Sequence, residues 1–241
     1  MEIHIEKDAR QLSENLAAWL ADYIQEVVAK KGQFTFVLSG GSTPKQLYSL
    51  LAESPYRESI PWEDVIFFWG DERAVPFEDS RNNAKMCYDE LLDKVPVNQD
   101  NIFVMRTDID PQDAAEEYDR ILRKQFDGQE QTFDFVLLGM GDDGHTLSLF
   151  PGTEVVHEQD RWATSFFLPA QDMYRITLTA PVVNQSACVA FLAVGNGKAE
   201  TLKHVLEGEL NVDKYPSQII QPLKGQLHWF IDEAAAALLT K

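Results

Sequence analysis

The stretch Phe133–Gly152, FDFVLLGMGDDGHTLSLFPG, decides the fold. Its apolar run, Phe135 to Leu138, is bounded by glycine and reads as a strand buried on both faces, as in a parallel sheet. Glycines, two aspartates and a histidine follow at once. In an α/β protein, a polar loop after such a strand sits at the rim of the sheet, where ligands bind. Gly139-Met140-Gly141-Asp142-Asp143-Gly144 also satisfies the G-x-G-x-x-G dinucleotide fingerprint. That fingerprint needs a sustained helix after the glycines and an acidic residue about 20 positions on. Here Pro151-Gly152 interrupts early, and Glu154 and Glu158 fall in loop-like sequence. The better reading is a turn that presents Asp143 and His145.

Working outward, the same grammar recurs. Apolar strands end at Leu38, Phe68, Leu138 and Val194, and each runs into glycine plus polar or charged residues. Helical patterns lie between them, so the strands are expected to be mostly parallel, with their C-terminal ends on one edge and their loops in one crevice. A half-exposed edge strand is expected over Glu2 to Glu6. A helix capped by Asp8 and ended by Gly32 follows, with Leu12, Leu16, Leu20, Ile24 and Val27 on its apolar stripe. Further expectations are a helix starting near Pro44 with Ser42 or Thr43 as cap, and a helix through Met86, Leu91 and Leu92. A short strand over Ile102 to Met105, a helix over Pro111 to Phe126 and an alternating strand over Arg175 to Thr179 complete the middle of the chain. Leu227 to Ile231 reads as a last strand, with Asp232 capping an Ala-rich C-terminal helix. With no linker, repeat or low-complexity tract, residues 1–241 are expected to form a single α/β domain.

Composition narrows the function. Lys and Arg number 21 against 39 Asp and Glu, a formal charge of -18. That balance opposes binding to nucleic acid or to an anionic membrane, and it makes any cation beside a glycine turn informative. Cys87 and Cys188 show no metal spacing and no disulfide framework. The N-terminus lacks the pattern of a signal peptide, and no apolar run approaches transmembrane length. A reducing cytoplasm is the expected compartment.

The loops supply the chemistry. In Ser39-Gly40-Gly41-Ser42-Thr43-Pro44, Gly40 and Gly41 let backbone N–H groups face an anion at a helix start, and Ser42 and Thr43 add hydroxyls. The run has neither the Walker A spacing nor the G-x-S-x-G of a nucleophile elbow, so no catalytic serine is expected. Gly70-Asp71-Glu72-Arg73 places Asp71 and Arg73 at a strand end, where Arg73 can grip phosphate or an oxyanion. Lys198 after Gly195-Asn196-Gly197 is a second phosphate candidate, and Arg175 is either a ligand or an edge charge. His145, two residues after Asp143, is the candidate acid–base group, with Asp143 orienting it or acting itself. His4, His157, His204 and His228 read as structural, and scattered histidines without HExxH or CxxC give no expected metal site.

These residues resemble a known family. SGGSTP at 39–44, GDERAVP at 70–76 and GMGDDGHTLSLFP at 139–151 are similar to the signature blocks of the 6-phosphogluconolactonases. Arg175-Ile176-Thr177, Gly195 to Lys198, Tyr215-Pro216 and Trp229 to Ala235 agree in order over nearly the whole chain. Two departures stand out: Leu147 replaces a usual Ala, and Asn82-Asn83 replaces a Ser-Asn pair. The resemblance implies a three-layer, Rossmann-like α/β sandwich of the glucosamine-6-phosphate deaminase (NagB-like) type. It implies hydrolysis of 6-phosphoglucono-δ-lactone to 6-phosphogluconate without metal or cofactor, by a monomer or homodimer. His145 becomes the base that activates water, with Asp143, Asp71 and Arg73 around it. Gly40, Gly41, Ser42, Thr43, Arg175 and Lys198 become the phosphate and substrate site. The rivals are a deaminase/isomerase, which carries a GHIAFNEPG-like run and D-E-Y where this chain has Ser148 to Pro151 and Asp71-Glu72-Arg73, and a non-catalytic sugar-phosphate sensor, which usually adds a helix-turn-helix module.

Overall fold

The computed structural model describes residues 1–240. In chain order the strands are β1 (Glu2–Glu6), β2 (Phe34–Leu38), β3 (Val65–Trp69), β4 (Asp71–Arg73), β5 (Phe135–Gly139), β6 (Ala163–Leu168), β7 (Met173–Leu178), β8 (Cys188–Ala193) and β9 (Gln226–Asp232). The helices are α1 (Ala9–Lys31), α2 (Ser42–Leu51), α3 (Tyr56–Ser59), α4 (Asn83–Cys87), α5 (Pro111–Gln125), α6 (Ala180–Val183) and α7 (Ala199–Glu207). Six strands form a parallel sheet in the order β1-β9-β8-β5-β2-β3. From β2 the chain steps to β3 on one side, and from β5 it steps to β8 on the other. The strand order therefore reverses between β2 and β5, and a crevice opens there beyond their C-terminal ends. SGGSTP and GMGDDGH are the loops that leave those two strands.

Helices cover both faces because successive strand residues point opposite ways. Phe67 packs with its register partner Phe36, which packs on Phe135, and Phe135 meets Trp19 of α1. The next residue, Phe68, packs on Tyr118 of α5 and on Phe126 just beyond it. α1 and α5 thus lie on opposite faces, giving three layers. Strands β2, β3 and β8 are buried along their whole length, β3 even though it ends the sheet, which is why they read as unbroken apolar runs. Asp8 caps α1 by accepting the Gln11 N–H at 2.9 Å, and Gly32, at φ 78°, closes it on the Val28 carbonyl.

The alternating strand expected over Arg175 to Thr179 is present as β7, but it belongs to a second sheet that the sequence does not announce. β4, β7 and β6 form an antiparallel three-strand sheet in that order. It joins the main sheet through Gly70, whose N–H donates to Leu38 O and whose carbonyl accepts from Leu178 N. β7 is its central strand, so Arg175 is buried and is no edge charge.

Four local expectations need correction. Gly41, at φ 108°, is the N-cap of α2, and Ser42 and Thr43 already lie inside the first turn. Only a single bridge, Phe67 to Ile102, forms where a strand over Ile102 to Met105 was expected, because the Tyr118 hydroxyl occupies the Phe103 carbonyl. The helix expected through Met86, Leu91 and Leu92 splits into α4 and a π-turn over Tyr88–Leu92. After β9 the Ala-rich segment is a run of turns, not a helix. The Asp232 carboxylate does accept the Ala235 N–H at 2.8 Å, but it is shared with the Gly195 N–H at 2.9 Å.

Candidate active site

A cleft of about 370 Å³ lies at the switch point. Its lining includes Gly40 to Thr43, Asp71, Arg73, Asn83, His145, Arg175 and Lys198. Among the candidates from the sequence, only Asp143 is not part of that lining, and it touches the cleft through His145. No helix follows the G-x-G-x-x-G run, whose glycines instead fold a tight loop around the histidine.

That loop is fixed at several points. Gly141 N–H donates to the His145 carbonyl at 2.8 Å, and Gly144 N–H donates to the Gly141 carbonyl at 3.0 Å. Ser217 gives both its N–H and its hydroxyl to the Gly144 carbonyl, and Thr201 donates its hydroxyl to the Asp142 carbonyl at 2.6 Å. Gly141 is required by close approach: a Cβ there would sit 2.1 Å from His145 Nδ1 and 2.6 Å from Asp143 Oδ1. The polar outcome is a pair. Asp143 Oδ1 lies 2.5 Å from His145 Nδ1 and also accepts the His145 backbone N–H at 3.1 Å. Partial burial alone would raise the Asp143 pKa, but the hydrogen bond and charge of His145 outweigh it and bring the carboxyl below its ordinary value. A carboxylate on Nδ1 keeps the proton there and leaves Nε2 as the free base of the neutral ring. One face of the imidazole is held by Phe150, stacked at 4.2 Å between ring centres.

Phe150 leads to a second, buried assembly. The Arg175 guanidinium lies 5.5 Å from the centre of the Phe150 ring. Its Nη2 donates to Asp71 Oδ2 at 2.6 Å, and its Nη1 donates to Gln171 Oε1 at 2.9 Å. Ser148 donates its hydroxyl to the same Asp71 oxygen at 2.6 Å. Burial pushes the Asp71 pKa up, but the Arg175 and Arg73 charges and the Ser148 and Arg175 hydrogen bonds win and lower it. Asp71 is thus an ionised orienting group with no proton to give. Arg175, expected as a phosphate ligand, has its two Nη ends committed, while its buried Nε has no partner.

The other two cations of the lining, Arg73 and Lys198, are only partly buried, though the Arg73 Nε is enclosed and has no partner. Arg73 donates from Nη1 to the Arg81 carbonyl at 2.6 Å. Lys198 Nζ lies 2.5 Å from Asp142 Oδ1, a carboxylate that is largely exposed. An incoming anion competes only with water and an exposed partner there, so this lysine is easily recruited.

The Asn82-Asn83 loop has a definite task. Asn82 caps α4 by accepting the Lys85 N–H at 2.8 Å. Asn83 donates from Nδ2 to the Asp71 carbonyl at 2.9 Å and packs against Gly40, where a Cβ would lie 1.9 Å from Asn83 Oδ1. Beneath it, the buried Glu72 carboxylate accepts three backbone N–H groups, from Arg73, Asn83 and Ala84. Burial still pushes that carboxyl up to about 7. The sequence marks Asn83, Ser148 and Phe150 only as members of family blocks, with no role of their own, and does not mark Gln171 at all. Only the partners that the fold brings to them reveal their roles. Leu147 holds a positive φ of 54° two residues after His145, and its side chain fills the space left by the missing Cβ of Gly70.

A three-layer α/β sandwich with a histidine–aspartate pair, a glycine turn and cations at its switch point is suited to an enzyme acting on a small anionic substrate. The family profile of glucosamine-6-phosphate isomerases/6-phosphogluconolactonase matches residues 7–229, and the chain belongs to that family. It is similar to a 6-phosphogluconolactonase of Synechocystis, 39% identical over 88% of this chain and 87% of that one. It is 38% identical to Arabidopsis 6-phosphogluconolactonase 3, a chloroplastic protein, over 93% of this chain and 71% of the other. The Trypanosoma brucei 6-phosphogluconolactonase structure superposes with a TM-score of 0.85 at 25% identity, covering 99% and 98% of the two chains.

Proposed function

We infer that the chain hydrolyses 6-phospho-D-glucono-1,5-lactone to 6-phospho-D-gluconate, the second step of the oxidative pentose phosphate pathway, acting as a single α/β domain. The observation that carries this reading is the Asp143–His145 pair set beside a glycine turn in a cationic cleft. Its family relatives support the substrate.

The chemistry follows from that pair. Neutral His145 takes a proton from water at Nε2 while Asp143 holds the Nδ1 proton in place. The resulting hydroxide attacks the lactone carbonyl carbon, and the carbonyl oxygen takes the negative charge. The Arg73 guanidinium, part of the same cleft lining, is assigned to stabilise that oxyanion. Collapse breaks the bond to the ring oxygen, which leaves as an alkoxide and receives the proton from Nε2. The product is the open-chain acid, which ionises, and His145 returns to its starting state. Water and protein groups supply every step.

The phosphate is assigned to the backbone N–H groups and hydroxyls of Gly40 to Thr43 together with Lys198. Arg175 is reassigned here from phosphate ligand to positioning residue, because it holds Asp71 and backs Phe150. Free, buried Cys87 and Cys188 suit a reducing compartment such as the cytoplasm. Among the described residues no helix is long and apolar enough to cross a membrane.

The test is a coupled assay on freshly generated lactone, corrected for spontaneous opening, run beside an ammonia-release assay on glucosamine 6-phosphate. Lactone turnover without ammonia is expected. Ammonia release would favour the deaminase reading, and phosphosugar binding with no turnover would favour a sensor.

A further inference from the structure

Far from the cleft, the pairing of β1 with β9 at the edge of the main sheet brings together two histidines that lie 224 residues apart. His4 Nε2 and His228 Nδ1 are 3.1 Å apart. Glu2 Oε2 lies 3.9 Å from the first atom and 3.6 Å from the second. These three sides form a triangle whose centre is about 2.1 Å from every corner, within the usual Zn–N and Zn–O bond lengths of about 2.0–2.2 Å. Two nitrogens and one carboxylate oxygen suit a borderline first-row ion and not the oxygen-seeking Mg²⁺ or Ca²⁺.

The surroundings support a site. Gln226 Oε1 lies 3.2 Å from His228 Nε2, so it can accept that proton and leave Nδ1 as a lone pair facing the triangle. Phe230 stacks on His4 at 4.3 Å and Trp19 packs 5.2 Å from His228, so one side of the cluster is apolar. Glu2 and part of His4 reach solvent, which leaves an entry path and room for water in an open position.

We propose that Glu2, His4 and His228 form a binding site for a divalent ion of the Zn²⁺, Co²⁺ or Ni²⁺ type, which fastens the edge strand β1 to β9. The ion has no part in lactone hydrolysis, because the cluster lies outside the cleft lining.

The untagged full chain, stripped with chelator, would be titrated with CoCl₂ while the visible d–d bands are followed, and then with ZnCl₂ in competition and in thermal melts. Expected results are one Co²⁺ per chain with a low-coordinate spectrum, displacement by Zn²⁺, and a Zn²⁺-dependent rise in Tm. His4→Gln and Glu2→Gln alter partly exposed side chains, so both variants are expected to fold and to keep the wild-type lactonase rate. Each is expected to weaken Co²⁺ binding by at least about tenfold, as disturbed metal sites generally do. Absence of Co²⁺ bands in the wild type, or binding equally tight in both variants, would overturn the proposal.

Discussion

At the residue scale, the site depends on a ring held from two sides. Asp143 fixes His145 through Nδ1, and Phe150 fixes it through its face. Gly141 makes room for both, so Gly141→Ala is expected to displace the imidazole and lower kcat about 10²-fold, the usual cost of a misplacement near 1 Å. Substrate affinity should change little, because the turn proposed to hold the phosphate, Gly40 to Thr43, is on another loop. A kcat/KM loss carried mainly by KM would contradict this. Lys198→Ala has the opposite signature. Losing one charge-assisted contact to phosphate should raise KM by roughly tenfold to a hundredfold with kcat nearly unchanged, as steady-state kinetics would show.

At the scale of elements, the short strand β4 ties chemistry to folding. It carries Asp71 and Arg73 into the cleft while Glu72, between them, points the other way and anchors the start of α4. The Glu72 pKa is raised in the folded chain from an ordinary 4.5 to about 7, chiefly by burial. Between those values the folded chain holds more protons than the unfolded one, so this group's contribution is full below about 4.5 and is lost as pH rises toward 7. Glu72→Gln removes that slope and leaves one backbone N–H facing an amide NH₂, at a cost of about 1–3 kcal/mol at low pH. Urea denaturation should therefore show the gap between wild type and variant largest near pH 4.5 and narrowing toward pH 8. A gap that widens with pH would contradict the assignment.

The same elements show what the sequence could and could not disclose. The parallel strands β2, β3, β5 and β8 were legible because strands covered on both faces are apolar throughout, and each runs into glycine. The crevice followed from them, and with it His145, Lys198 and the SGGSTP turn. β4 and β6 were hidden because three or six residues with mixed polarity carry no clear period, and their partner β7 is remote from β4 in the chain. Arg175 was visible as a cation but its partners were not: only the β4–β7 register sets it against Asp71. The terminal alanines promised a helix by propensity, yet tertiary contacts at Asp232 took the backbone another way.

At the scale of the whole molecule, a formal charge of -18 surrounds a cleft that contains Arg73, Arg175 and Lys198. An anionic substrate meets general repulsion at long range and attraction only at the site. The Debye length falls from ~30 Å at 0.01 M salt to ~8 Å at 0.15 M and ~3 Å at 1 M. Moderate salt should screen the distant charges first, so kcat/KM is expected to rise from low to physiological ionic strength and to fall again near 1 M. A monotonic fall from the lowest salt would mean that local attraction dominates throughout. The proposed chemistry, however, rests on one ring, that of His145. The most direct test is the hydrolysis rate of fresh 6-phosphogluconolactone by His145→Ala, measured beside the binding of the product 6-phosphogluconate. The predicted result is a rate lower by about 10²–10⁴-fold with product binding largely retained, as for loss of a general base. A rate near that of the wild type would contradict the account.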